Sequence, residues 1–205
     1  MLSVLRHPWK QGGRRVTQRE LIDFLGLVKT MKTNVRHNWT EGERRESVAD
    51  HSWRLALMPM LIEKEFPQVD INKVIRMCLI HDLGEAVTGD IPCFQKTSSD
   101  ELTEKTAITS LLMNLPDDIR ADFSALYAEM EELNTPEARL YKALDKMEAV
   151  ISHNEAEIST WEDHEYTLQL TYGEDNVAWN DWLKELKAEV NRDTVKKTEN
   201  ESSVG

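Results

Sequence analysis

The chain has only two cysteines in its 205 residues, Cys78 and Cys93. Cys78 falls in an apolar helical pattern and Cys93 in a loop-like stretch, so a disulfide framework is not expected, and two free thiols in a reducing compartment are. Glycine is sparse at eight residues, and none of them builds a phosphate-cradling loop. Positive charge is in deficit: 25 Lys and Arg face 37 Asp and Glu, a formal net charge of -12. That balance argues against broad gripping of a nucleic-acid backbone, which needs clustered cations to displace counterions. It leaves room for a small phosphate held by a few local cations and a metal. No apolar run reaches the roughly 20 residues that cross a bilayer, and Met1 to Arg15 holds no apolar stretch long enough for a secretory signal. A cytoplasmic protein with no membrane or nucleic-acid partner is the expectation. Internal repeats and strand–helix alternation are absent too.

Hydrophobic residues make up 40% and charged residues 30%, as in ordinary soluble domains. The length suits one domain, and the patterning is all-α. Thr17 and Glu20 form a capping box ahead of a stripe of Leu21, Phe24, Leu25, Leu27, Val28 and Met31. A second helix is predicted from Ser47 through Trp53, Leu55, Met58 and Ile62, kinked at Pro59 and stopped by Pro67. Asp70 caps a third, which carries Ile71, Val74, Ile75, Cys78 and Leu79 and ends near Gly84. Glu85 to Lys96 reads mostly as loop. Ser98 with Glu101 opens a helix to Leu115, Pro116 one through Leu133, and Pro136 the next. Trp161 to Asn176 is mixed, and a last helix carries Trp179, Trp182, Leu183 and Leu186. The expected organisation is an extension over 1–16, a helical domain over 17–190 and a disordered polar tail over 191–205.

The most informative residues are His81 and Asp82. They close the apolar run Val74 to Ile80 and precede Leu83-Gly84-Glu85. A lone His-Asp dipeptide is ordinarily a surface or hydrogen-bonded pair. Here polar groups follow buried-type residues directly, and buried charge is costly unless paired or metal-bound. Upstream stands His51, in Glu46-Ser47-Val48-Ala49-Asp50-His51-Ser52-Trp53-Arg54; downstream stands Asp145, in Lys142 to Glu148. The order His, His-Asp, Asp offers two imidazoles and two carboxylates from three segments. That donor set suits a divalent ion such as Mn, Co, Fe, Ni or Zn.

With these motifs and Thr88-Gly89-Asp90-Ile91-Pro92, the chain resembles the HD-domain metal-dependent phosphohydrolases. Within them it is similar to the small 5'-deoxynucleotidase-like branch, over roughly residues 17 to 190. The resemblance implies a single-domain helical bundle with one divalent ion on His51, His81, Asp82 and Asp145. It implies hydrolysis of phosphate monoesters, nucleoside (deoxy) 5'-monophosphates, by metal-bound water. Glu85 and Asp90 would be catalytic, and Arg36 and Trp39 would bind the substrate. A homodimer also follows only from the resemblance. Of the six histidines none lies between His81 and Asp145, where binuclear members of this superfamily take extra ligands, so a single ion is expected.

Each of these residues also has a plain reading. Glu85 can be a solvated residue past a helix end, and Asp90 a turn residue. His37 reads as exposed, His153 and His164 as structural. Lys146 and Glu148 read as helix-surface pairing, and Trp53 as core. Two other functions fit the same motifs. A related hydrolase of nucleotide pyrophosphates or triphosphates would need a basic cluster, for which Arg44-Arg45 is the near candidate. A metal-stabilised binding or regulatory protein would have no use for Glu85 and Asp90.

Overall fold

The computed structural model describes residues 15–40 and 44–202; residues 1–14 of the extension expected over 1–16, and the chain end 203–205, lie outside them. Thr17 and Glu20 satisfy each other's backbone N–H groups and open helix α1 (Gln18–Leu27). None of its residues is buried, and its stripe leads into the 3-10 turn Lys29–Lys32, where Met31 enters the interior. The chain then departs from the all-helical pattern. Strands β1 (Val35–Trp39) and β2 (Arg45–Ser47) pair antiparallel, with Val35 opposite Ser47 and Trp39 opposite Arg45. Four steps along β1 therefore face two along β2, and the register shifts between them. A regular strand sends successive side chains to opposite faces. This irregular one turns Arg36, His37 and Asn38 toward a single cavity.

Ser47 and Asp50 form the capping box of α2 (Val48–Leu61), which places His51 in its first turn and buries Pro59 near its end. Asp70 caps α3 (Ile71–Ile80) by accepting from the Lys73 N–H. This helix stops at His81, short of the predicted Gly84. A tight turn leads instead into the one-turn helix α4 (Glu85–Thr88), in a stretch predicted to be mostly loop. Gly84 lets the helix over 98–112 pack close against that turn: a Cβ there would lie 2.8 Å from Glu104 Cγ and 2.9 Å from Ile108 Cγ1. Helix α5 (Ser98–Leu112) starts with Thr97 and Asp100 as its capping pair, one residue ahead of the predicted Ser98 and Glu101. Helix α6 (Asp117–Glu132) follows Pro116 and stops at Leu133, whose φ of 52° is left-handed. Thr135 and first-turn Pro136 open α7 (Pro136–Glu155). Short helices α8 (Glu165–Thr171) and α9 (Glu174–Val177) lead to α10 (Asp181–Ser202).

Helix α7 is the axis, with α2, α3, α6 and α10 packed around it. Leu55, Val74, Met77, Leu140, Leu144, Met147 and Leu183 are fully buried along these contacts. Leu144→Ala should cost about 2–5 kcal/mol of unfolding free energy, the range for a buried leucine whose site cannot collapse; denaturant titration of the variant checks this.

Two expectations are corrected here. Residues 191–202 of the expected tail are not disordered: α10 continues to Ser202. Val190 and Thr194, one turn apart, are both buried, and Thr194 Oγ1 donates to Asn154 Oδ1 at 3.0 Å. Trp53 is not core but 67% exposed, because His51, Ser52, Leu55, Ala56 and Pro59 occupy the inward face of α2. Cys78 is buried and Cys93 exposed, and both are free.

Candidate metal centre

Three helices deliver four donors to one point beside α7. His51 comes from the first turn of α2, His81 and Asp82 from the end of α3, and Asp145 from the middle of α7. His51 Nε2 lies 3.3 Å from His81 Nε2 and 3.3 Å from Asp145 Oδ1. His81 Nε2 is 2.9 Å from Asp82 Oδ2 and 3.6 Å from Asp145 Oδ1, and His51 Nε2 is 4.0 Å from Asp82 Oδ2. Metal–ligand bonds of about 2.0–2.2 Å put neighbouring donors roughly 3.0–3.5 Å apart. The spacing therefore fits a small divalent ion.

The surrounding shell sets the tautomers. His51 Nδ1 pairs with Glu148, which is fully buried and also accepts from Ser152 Oγ at 2.9 Å. His81 Nδ1 donates to the Cys78 carbonyl at 2.9 Å. Both rings thus spend Nδ1 outward and turn Nε2 lone pairs inward, as metal-ligating histidines do. The electrostatics favour positive charge at the same point. Burial alone would lower His81, but the negative charges of Asp82 and Asp145 push it up to about 10. Burial would likewise raise Asp82 and Asp145. His81 holds Asp82 below the usual carboxylate range, and Lys142, His51 and His81 hold Asp145 well below it.

The donors open on a cavity of about 430 Å³, and Arg36, Glu85 and Asp90 line it with Asp82 and Asp145. Arg36 Nε lies 3.1 Å from Glu46 Oε2 and Arg36 Nη1 3.6 Å from Asp82 Oδ2. Glu85 is buried at the start of α4; burial first, then the negative charges of Asp82 and Asp90, push its carboxyl up to about 9. Burial also raises Asp90. Buried polar atoms of residues that line this space lack a hydrogen-bond partner: His37 Nε2, Asn38 Oδ1 and Glu85 Oε2. Orphaned groups of this kind around one cavity are the mark of a site that takes a polar guest.

Trp39 does not join this group. Its ring lies under the Arg45 guanidinium, 4.3 Å from ring centroid to carbon, and does not line the cavity. Arg44 is exposed and pairs with Asp50 at 2.7 Å, so neither arginine of that dipeptide faces the donors. Conversely, His37 and His153 both line the cavity. Glu148, expected to pair on a helix surface, and Glu46, given no role by the sequence, are instead buried beneath the donors and Arg36.

The HD domain family model matches residues 28–187 of this chain. The 5'-deoxynucleotidase HDDC2 of Homo sapiens is 32% identical over 143 residues, 68% of this chain and 69% of the relative. The Schizosaccharomyces pombe 5'-deoxynucleotidase hdd1 is 29% identical over 138 residues, 63% and 69% respectively. Among solved structures, a predicted metal-dependent phosphohydrolase from Magnetospirillum magnetotacticum MS-1 superposes with a TM-score of 0.75 at 29% identity, covering 88% of this chain and 93% of its own. With helices that bring His51, His81 and Asp145 to one ion-sized point and set Asp82 beside His81, and a family match over most of its length, the chain belongs to the HD domain family of metal-dependent phosphohydrolases.

Proposed function

We propose that this metal-dependent phosphohydrolase cleaves nucleoside 5'-monophosphates, the 2'-deoxy forms first, with His51, His81, Asp82 and Asp145 holding a single catalytic ion of the Mn, Co, Fe, Ni or Zn class. The observation that carries the reading is the placing of Asp82 and Asp145, which meet His51 and His81 behind them, on the wall of a cavity that Arg36, Glu85 and Asp90 also line. The deoxy preference is taken from the names of the relatives. A divalent ion there supplies Lewis acidity to a phosphoryl oxygen and lowers the pKa of water.

The chain's own groups do the rest. The Arg36 guanidinium presents a planar fork to the non-bridging phosphate oxygens and stabilises charge that develops on them. Its present partners, Glu46 and Asp82, keep that fork aimed into the cavity. Glu85, raised by burial, holds a proton near neutral pH and can pass it to the leaving oxygen of the nucleoside. A cation held by neighbouring Asp82 would offset that residue's negative charge and draw the Glu85 pKa down toward neutral pH, where proton transfer is most efficient. Asp90, on the same wall, orients the attacking water. Glu148 holds His51 in the ligating tautomer.

A monophosphate is favoured over a polyphosphate because Arg44 and Arg45 do not line the cavity and the lysines that do are already engaged, Lys96 with Glu104, Lys142 with Asp145 and Lys146 with the Tyr172 hydroxyl. Release of inorganic phosphate from deoxy and ribo nucleoside mono-, di- and triphosphates, with each candidate metal, tests the reading. Monophosphates should be hydrolysed fastest. Preference for triphosphates, or no turnover with any metal, would overturn it. Arg36→Ala should lower kcat/KM on monophosphates about 10–100-fold, the worth of a charge-assisted hydrogen bond or two, and leave bound metal unchanged. Arg36→Lys should recover part of the loss, because an ammonium cannot bind two oxygens in one plane.

A further inference from the structure

We propose that His37, His153 and Glu165 form a second, separate site for a divalent transition-metal ion at the far wall of the same cavity. It goes beyond the catalytic reading and does not depend on it. The three residues come from β1, α7 and α8, and their donor atoms lie within 4.8 Å of one another. Glu165 Oε1 is 2.9 Å from His153 Nε2 and 3.4 Å from His37 Nε2. These are the separations that neighbouring ligands of one small ion adopt, roughly 3.0–3.5 Å for bonds of about 2.0–2.2 Å.

The hydrogen-bonding around His153 repeats the pattern around His81. His153 Nδ1 donates to the Ala149 carbonyl, one turn back, at 3.1 Å, as His81 Nδ1 donates to the Cys78 carbonyl. The other nitrogen of each ring then points at a carboxylate. Glu165 is anchored in turn: it is buried, and its Oε2 accepts from the Glu162 N–H at 2.8 Å. A His153–Glu165 ion pair alone would be unremarkable. The third donor decides the matter. His37 Nε2 is buried, has no hydrogen-bond partner, and faces the same oxygen, Glu165 Oε1. Joining both nitrogens to that oxygen through protons requires both Nε2 atoms to be protonated, and His153, which already donates from Nδ1, would then have to be an imidazolium; one metal cation satisfies all three with both rings neutral. Glu162 Oε1, 3.7 Å from His37 Nε2, is placed to be a further ligand.

This site is not the partner of a bridged two-metal centre. His153 follows Asp145 by eight residues on α7, which is about 12 Å at 1.5 Å per residue, whereas bridged ions sit about 3.5–4 Å apart. Two imidazoles and a carboxylate select Zn, Co or Ni over Mg or Ca. By tying β1 to α7 and α8, the ion would fix the strand from which Arg36 and Asn38 reach the cavity.

The full chain, stripped by chelation and reloaded with Co(II) or Zn(II), tests this through metal content after desalting and through thermal unfolding. Wild type should hold an ion at each cluster. Asp145→Ala should keep the ion at His37, His153 and Glu165, and its Tm should rise on adding Zn(II). Adding Glu165→Gln, which preserves shape and the Glu162 contact, or His37→Ala at the half-buried strand position should abolish both the remaining ion and the Tm rise. Either variant in the wild-type background should lose one ion and retain the other. The proposal is overturned if Asp145→Ala binds no metal that survives desalting, or if neither Glu165→Gln nor His37→Ala changes the wild-type metal content. Should those two variants fail to fold, the metal content of Asp145→Ala decides alone.

Discussion

Asp145→Ala is expected to lose the catalytic ion and phosphohydrolase activity together, with kcat/KM falling on the order of 10³-fold or more. A bound ion contributes several kcal/mol of charge stabilisation, and each 1.4 kcal/mol or so is tenfold in rate. Asp145 is the residue to choose because it faces both imidazoles: its Oδ1 lies 3.3 Å from His51 Nε2 and 3.6 Å from His81 Nε2. Its other oxygen, Oδ2, accepts from Lys142 Nζ at 2.9 Å, so removing the carboxylate also leaves a cation beside the donors. Both changes oppose binding of a positive ion. Elemental analysis and phosphate release measured on the same preparation check the expectation. Full activity with unchanged metal would take Asp145 out of the ligand set. An intact circular dichroism spectrum should accompany the loss, since Asp145 makes its contacts within the site rather than in the apolar core.

That His51, His81, Asp82 and Asp145 would lie together was legible in the sequence, because ligation demands particular residue types and His81-Asp82 stands at the abrupt end of an apolar run. What supports them was not. Glu148 reads as surface pairing on a helix, yet it is fully buried against His51, a residue 97 positions away. Glu46 is in the same position, meeting Ser152 across 106 positions. A carboxylate on an exposed helix face and one beneath a metal centre look alike until the partner helix is placed. One local cue existed: Glu148 follows Asp145 by three residues, and such residues share a helix face. His37 escaped for a different reason. It reads as an exposed residue, and only the shifted register of β1 turns it inward.

The helices were read well where caps and apolar stripes coincide, as at Thr17, Ser47, Asp70 and Pro136. The hairpin was missed because Val35-Arg36-His37-Asn38-Trp39 does not alternate apolar and polar residues, so periodicity offers nothing to detect. The end of α10 was missed because composition averages over a helix whose buried contacts are few. Val190 and Thr194 suffice to seat that turn on Asn154. Trp53 failed in the opposite direction: a large aromatic invites burial, but the helix face it occupies points to solvent.

Glu85→Gln should keep the metal and lower kcat by about 10²-fold or more, the usual scale for losing a general acid or base. The substitution is close to isosteric, and Glu85 Oε2 has no hydrogen-bond partner to lose. The fold should therefore survive. Stability should hold or rise slightly, because a raised carboxyl pKa means that burial disfavours the ionised form. The sign is explicit: with the folded value at about 9 and the ordinary value at 4.5, the folded chain binds the extra proton between them. Glu85 then costs the metal-free protein stability as pH rises through that window. Glutamine cannot ionise, so the metal-free variant should lose this part of the pH dependence and unfold at a higher denaturant concentration near pH 8 than its parent. The two readouts separate the roles. A solvated bystander would move neither kcat nor the stability profile, and a purely structural carboxylate would move the profile alone. A glutamate that carries the proton in the reaction moves both, in opposite directions: a more stable protein that turns over far more slowly.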